Sequence, residues 1–302
     1  MKTVLLTGAT SFIGLALCKQ MSEMGLDVHV VTRPQTDLSR FDACITPPSI
    51  HLDDGSAQCL GAIVGASQPD VVYHMATKYV REHTAHDIAP MLESNIGFGA
   101  HLLEAMSEAQ VSNLIYAGTY AQHYGEDEDR ALNLNAATKE AFRTLVDYYV
   151  DAKGIFAAQL TLFDVYGPGD WRFRLVDAIL KSLRTGDGLP LPSEDLPLDL
   201  IYVDDAVSAF VQAGQLMCKS PASMNGREFA VSSGDQRLLS EIIDTFEQVF
   251  GKKVIREWGK FPIPQRAPRS LWRGEPVPQW QPRVSLAEGV RRLIDEQGEP
   301  LK

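Results

Sequence analysis

Small residues near the N-terminus stand where a chain can hold a phosphate. In the run from Thr7 to Gly14, "TGATSFIG", the residues Gly8, Ser11 and Gly14 recur at every third position. Glycine at 8 permits a tight turn, and glycine at 14 lets a helix pack closely on the strand before it. The free amides at the start of that helix, over Thr10, Ser11, Phe12 and Ile13, then face an anion such as a pyrophosphate. Serine in the middle position narrows the approach, yet its hydroxyl can itself donate to a phosphate. At the end of the second apolar run, "VVTRP", Thr32 and Arg33 stand where a fold preferring NAD carries a carboxylate for the ribose hydroxyls. A guanidinium there pairs with a 2′-phosphate, so the expected cofactor is NADP, with NAD possible.

Other titratable groups carry less. "EHTAHD" brings His83, His86 and Asp87 together without a cysteine, only superficially like a metal cluster, and no metal site is expected. Cys18, Cys44, Cys59 and Cys218 are scattered with no CxxC pair, the pattern of reduced packing residues rather than a disulfide framework or a zinc site. Asp204 and Asp205 in "YVDDA" look like paired carboxylates, but Asp205 opens a helix and is a capping carboxylate first. His123 lies between Tyr120 and Tyr124 and could relay a proton near neutral pH. A satisfied structural role is the commoner one for a lone histidine.

The elements that must position these groups follow from apolar periodicity. "KTVLLTG", "DVHVVTR", "PDVVYHMA", "NLIYAGT" and "FAAQLTLF" have the pattern of strands, with amphipathic helical patterns between most of them. The alternation predicts an α/β fold, a doubly wound parallel Rossmann sheet with a smaller C-terminal substrate-binding lobe. The expected division is 1–168 plus 198–233 for the dinucleotide-binding core and 169–197 plus 234–302 for the lobe. The second part opens with "GPGDWRFR", includes the helix "LLSEIIDTFEQVFG", passes a segment from Trp258 to Pro282 crowded with Pro, Trp and Arg, and ends in a helix from Ser285. A formal net charge of -11 argues against nucleic-acid binding, so an anionic ligand needs locally placed donors. No stretch reaches the ~20 apolar residues of a membrane helix, and the apolar run after Lys2 is too short for a signal core. The expectation is a cytoplasmic protein without membrane partners.

Seven segments, "TGATSFIG", "VVYHMAT", "ESNIGFGAHLLEAM", "NLIYAGTYAQHYGE", "NAATKEAF", "LFDVYGPGD" and "LIYVDDAVSAF", occur in an order and at spacings that resemble the NAD(P)-dependent epimerase/dehydratase family. The flavour of "GTYAQHY" and "LFDVYGPGD" is similar to the branch that includes CDP-paratose and CDP-abequose synthases. The resemblance implies that Thr119 binds the reacting oxygen and that Lys139 holds the nicotinamide ribose and lowers the pKa of a tyrosine four residues before it. It further implies that Asn95 lies behind the cofactor. Leu52, Met75, Ala76, Thr77, Phe163 and Val165 are then cofactor contacts, and Lys78, Tyr120, Asp164, Arg172, Arg174 and Arg269 substrate contacts. In related enzymes such arginines neutralise the diphosphate of a nucleotide sugar; Arg266 and Arg273 are weaker candidates, and a solvated face is the alternative for all five. The partner so implied is a CDP- or dTDP-linked sugar. A homodimer through paired helices is also implied, and "KEAFRTLVDYYV" is suitably amphipathic.

One departure matters. The family's pattern is Tyr-x-x-x-Lys, and this chain has Asn135-Ala-Ala-Thr-Lys139. The two ends lie one helical turn apart on one face, where a phenol and an ammonium can couple. An amide hydrogen-bonds a carbonyl but has no proton to lend. Three explanations stand open: an active-site variant of a parent with tyrosine, a natural member that uses Tyr120, Tyr124 or Lys139 instead, or a protein that binds ligand without catalysis. The expectation is a nucleotide-sugar oxidoreductase, a 4-keto-deoxysugar reductase or related epimerase or dehydratase, with Thr119, Asn135, Lys139 and Tyr120 at its centre. The alternative is a catalytically silent dinucleotide-binding protein or sensor.

Overall fold

The computed structural model describes residues 1–80, 82–124, 130–262, 266 and 270–296. The first half alternates strand and helix: β1 (Thr3–Thr7), α1 (Phe12–Glu23), β2 (Asp27–Thr32), β3 (Ser49–Leu52), α2 (Ala57–Ser67) and β4 (Val71–His74). Then come α3 (Ala85–Leu92), α4 (Phe98–Glu108), β5 (Asn113–Thr119), α5 (Leu134–Lys153) and β6 (Phe156–Leu162). β1 and β4 are almost wholly buried, as strands covered on both faces must be, and this is why they appear in sequence as unbroken apolar runs.

The remaining elements are β7 (Asp164–Tyr166), α6 (Leu175–Thr185), β8 (Gly188–Leu191), β9 (Pro197–Leu198), β10 (Leu200–Tyr202), α7 (Val203–Lys219), α8 (Pro221–Met224), β11 (Arg227–Val231), β12 (Arg237–Leu238), α9 (Leu239–Phe250), β13 (Ile255–Trp258) and α10 (Leu286–Glu296). Seven strands form one sheet in the order β11-β6-β5-β4-β1-β2-β3, every pair parallel. The fold is therefore the expected doubly wound Rossmann sheet. β10 pairs with β7 outside the main sheet, and β11 pairs with β6 at its edge. Among the described residues no helix is long and apolar enough to cross a membrane.

The chain runs outward from β1 to β2 and β3, then returns past β1 to β4. That reversal opens a crevice at the carboxyl ends of β1 and β4, where Thr7 and His74 are register partners. Leu17 and Met21 of α1 and Phe210 of α7 fill one face of the sheet. Leu60 and Val64 of α2, Leu102 and Met106 of α4, and Phe142 of α5 fill the other.

Candidate active site

The turn after β1 has the shape its spacing predicts. Gly8 adopts φ +71, the left-handed region, and a β-carbon there would lie 2.6 Å from the Ala76 amide nitrogen. A β-carbon on Gly14 would collide with the Gly8 carbonyl oxygen. Ser11 is the N-cap of α1; its hydroxyl oxygen accepts from Gly14 N at 3.1 Å. The serine thus serves the helix start, and its own amide, expected to be free for an anion, donates instead to Gly8 O at 3.0 Å and closes the turn. Phe12 is buried beneath the turn.

Beside the turn, Thr32 and Asp53 leave polar capacity unused. Thr32, at the end of β2, has a buried hydroxyl with no hydrogen-bond partner. Asp53, just past the edge strand β3, is buried next to it: its amide donates to Thr32 O at 2.8 Å, and its carboxylate accepts from Gly55 N at 3.1 Å. An orphaned hydroxyl and an incompletely used carboxylate fit the hydroxyl- and amine-bearing edge of a nucleoside. Arg33 and Leu52 are exposed at this mouth. Sequence reasoning overlooked Asp53, and also Arg40, whose Nη1 donates to Thr10 O at 3.0 Å while its guanidinium lies 4.2 Å over the Trp171 ring. No motif marks Arg40, because only folding brings it to the turn.

Beyond β4 the chain is pinned from behind. Pro90 interrupts the hydrogen bonding of α3, and the Glu93–Gly97 turn that follows is wound as a π-helix, with Asn95 inside it. Asn95 Oδ1 accepts from Lys78 N at 2.6 Å, its Nδ2 donates to Lys78 O at 3.2 Å, and Thr77 Oγ1 donates to the same Oδ1. Asn135, buried in the first turn of α5, joins this group through longer, shared contacts: its Oδ1 lies 3.4 Å from Thr77 Oγ1 and 3.5 Å from Asn95 Nδ2, which also donates to Thr138 Oγ1 at 2.9 Å. The amide at position 135 therefore braces the loop at 77–78. Met75 is buried under it, and His74 Nδ1 meets Thr7 Oγ1 at 2.7 Å. Burial, and then the nearby Lys139 ammonium, push the His74 imidazole down to about 3, so it is neutral.

Lys139 reaches from α5 to the carboxyl end of β5, where its Nζ donates to Ala117 O at 2.6 Å. Loss of hydration pushes it down to about 8. A small cavity opens beside it, lined by His74, Ala76, Thr77, Asn95 and Gln159, and the buried Gln159 Oε1 has no partner. Thr119 ends β5, two residues after Ala117; its amide donates to Gln122 Oε1 at 2.9 Å and its hydroxyl accepts from Ala121 N at 3.4 Å.

The other candidates fall into two groups. Tyr120 Oη donates to Asp164 Oδ2 at 3.3 Å, Arg174 Nη1 stands 4.0 Å from Asp164 Oδ1, and the Arg174 guanidinium lies 5.8 Å over the Tyr79 ring. Arg172 is held inward by Asp170 at 2.6 Å and by Val165 O, 4.6 Å over the Phe12 ring, which puts it on the phosphate-turn side of the cleft. Phe163 and Val165 are buried, Phe163 against Leu271 and Trp272 of the tail. Arg266 lies over Tyr124, Arg273 is exposed, and Arg269 lies outside the described residues.

His123 has the structural role: it bonds Glu228 at 2.7 Å and stacks on Trp272 at 4.2 Å. Asp205 accepts from Val284 N at 2.8 Å and ties the C-terminal segment to α7. Asp87 is engaged in capping α3 with Thr84. Cys18 and Cys44 are free thiols that share a hydrogen bond, their sulfurs 3.8 Å apart.

Comparison with known proteins gives the family and the fold. The profile described as the NAD dependent epimerase/dehydratase family matches residues 4–225. CDP-abequose synthase of Salmonella muenchen is 24% identical over 252 residues, 82% of this chain and 80% of that protein. The dTDP-4-dehydro-6-deoxyglucose reductase of Escherichia coli is 24% identical, covering 96% of each chain. Among solved structures, UDP-glucuronic acid 4-epimerase from Bacillus cereus, in complex with UDP-glucuronic acid and NAD, superposes with a TM-score of 0.81 at 23% identity, covering 98% of each chain. Fold and crevice together define a Rossmann protein with a nicotinamide-dinucleotide site. The chain belongs to the NAD dependent epimerase/dehydratase family.

Proposed function

We propose that this chain is a nucleotide-sugar oxidoreductase of the cytoplasm that reduces a 4-keto group on a CDP- or dTDP-linked deoxysugar. Support comes from one convergence at the carboxyl edge of the sheet: the Gly8 cradle, the Lys139 ammonium on Ala117 O, and the Thr119 hydroxyl. A reduced nicotinamide, when bound, supplies a hydride. Gly8, the α1 amides, Thr32 and Asp53 hold its dinucleotide, and Arg33, with Arg40 nearby, favours the 2′-phosphate of NADP. Lys139 holds the nicotinamide ribose, and Asn95 and Asn135 brace the loop at 77–78 against which it lies. Thr119 donates to the sugar oxygen. The segments 169–197 and 234–302 form the lobe that takes the nucleotide diphosphate, with Arg174 of the lobe and Lys78 of the core as the cations. Epimerisation or dehydration starts with the same kind of hydride step, and the curated relatives include reductases and epimerases alike. A homodimer is part of the proposal.

A second reading is favoured by Asn135: a dinucleotide-binding protein that has lost turnover. Oxidation of NADPH by CDP- and dTDP-4-keto-6-deoxysugars separates the two. Stoichiometric formation of the 4-hydroxy sugar supports the enzyme. Saturable dinucleotide binding without turnover, and with no gain in the Asn135→Tyr variant, supports the silent protein and contradicts the enzyme, whereas a large gain in that variant supports a disabled enzyme.

A further inference from the structure

With an amide at position 135, the proton for the sugar oxygen must come from another group. Resting on the reductase reading above, we propose that Tyr120 and Asp164 act as one proton-donating pair for the oxygen that Thr119 holds. Tyr120 follows Thr119 directly. Thr119 is the N-cap of the 3₁₀ turn that Tyr120 begins, so the two residues stand together at the carboxyl end of β5. The Tyr120 ring lies flat against Phe163, 5.2 Å between centroids at 4°, and Phe163 is the residue before Asp164. Stacking thus fixes the phenol over the carboxyl, with Oη donating to Oδ2 at 3.3 Å while the carboxyl is ionised; once it is protonated, the same contact runs from carboxyl to phenol and leaves the phenol proton for the sugar oxygen.

The surroundings explain how this pair stores a proton. Burial pushes the Asp164 carboxyl up and Asp199 adds to that, against the downward pull of Arg174, the Tyr120 hydrogen bond and Arg172. The Tyr120 phenol is itself raised well above its ordinary value, first by the Asp164 carboxylate and then by burial, with Tyr79 adding and Arg174 opposing. A phenol beside a carboxylate is a poor donor, whereas a phenol beside a carboxylic acid can pass a proton on; the two titrate as a unit. As the ketone carbon receives a hydride from the reduced dinucleotide, the C=O π pair moves to oxygen. That oxygen takes the Tyr120 proton, and Tyr120 Oη takes the Asp164 proton. A neutral phenol and a carboxylate facing Arg174 remain, and solvent reprotonates the carboxylate.

Tyr120→Phe and Asp164→Asn test the pair on the intact protein. Dinucleotide affinity, measured first, stays within about twofold in both and shows that they fold. The pair requires kcat to fall about 10²–10⁴-fold in each variant, with KM changed far less. Wild-type kcat falls as pH rises through the carboxyl's ionisation, and the Asp164→Asn variant lacks that limb. Independently of turnover, infrared difference spectra of the free protein should contain a protonated-carboxyl band that titrates above the usual carboxylate range. That band should vanish in Asp164→Asn and shift in Tyr120→Phe. Wild-type kcat and pH profile in both variants, or absence of the band, overturns the pair. If wild-type protein binds dinucleotide yet reduces no nucleotide-sugar ketone, the reductase reading fails, and the infrared titration alone decides whether Asp164 and Tyr120 share a proton.

Discussion

Lys139 and His74 share a wall of the crevice, and their charges are coupled through burial. Of the two, only Lys139 keeps its proton near neutral pH, because the desolvated imidazole beside an ammonium has lost its affinity for one. The sign of the pH effect follows. Between 6.5 and about 3 the unfolded chain binds a proton at His74 that the folded protein refuses, so this group withdraws stability as pH falls through that window. The slope approaches about 1.4 kcal/mol per pH unit at most. Urea midpoints measured from pH 7 down to 4 should therefore decline more steeply in wild type than in a His74→Asn variant. Equal slopes in the two proteins contradict a neutral buried imidazole.

The phosphate turn shows how an element was visible in sequence while its partners were not. Gly8, Ser11 and Gly14 are close in the chain, so their spacing alone predicted the turn. Arg40 and Asp53 reach the same crevice only after β2 and β3 are laid beside β1. β3 itself escaped notice because its four residues are an edge strand with mostly exposed side chains, too short and too polar to stand out. Asn135 was evident as a departure, but its bracing of Thr77 and Asn95 depends on α5 lying against a π-turn that no propensity announces. The turn offers a direct test of its own. A Gly8→Ala exchange puts a β-carbon against the Ala76 backbone at positive φ and should cost about 1–2 kcal/mol of stability. It should also weaken dinucleotide binding at least about tenfold, as read by calorimetry; unchanged affinity means the turn does not touch the ligand.

On the scale of the molecule, one cluster of buried apolar side chains runs from Val4 and Leu6 of β1 through Ile179 of α6 and Ile242 of α9 to Leu293 of α10. The C-terminal elements therefore share this core with one face of the Rossmann sheet. All four tryptophans lie after Pro168, and Trp171 beside Phe12, Trp272 on His123 and Trp280 on Ser208 touch the core, so their fluorescence reports the junction of the C-terminal elements with it, while far-ultraviolet circular dichroism weights the whole chain. The two probes should give coincident denaturant transitions, as one cooperative unit requires. Two resolved transitions mean that the lobe unfolds alone.

All of this converges on the crevice beside Gly8 as a dinucleotide site, and titration with NADPH and NADH, followed by nicotinamide emission, tests that most directly. The predicted result is saturable enhancement, tighter for NADPH, with the preference lost in an Arg33→Ala variant. Emission unchanged by the protein with either nucleotide contradicts the account at its root.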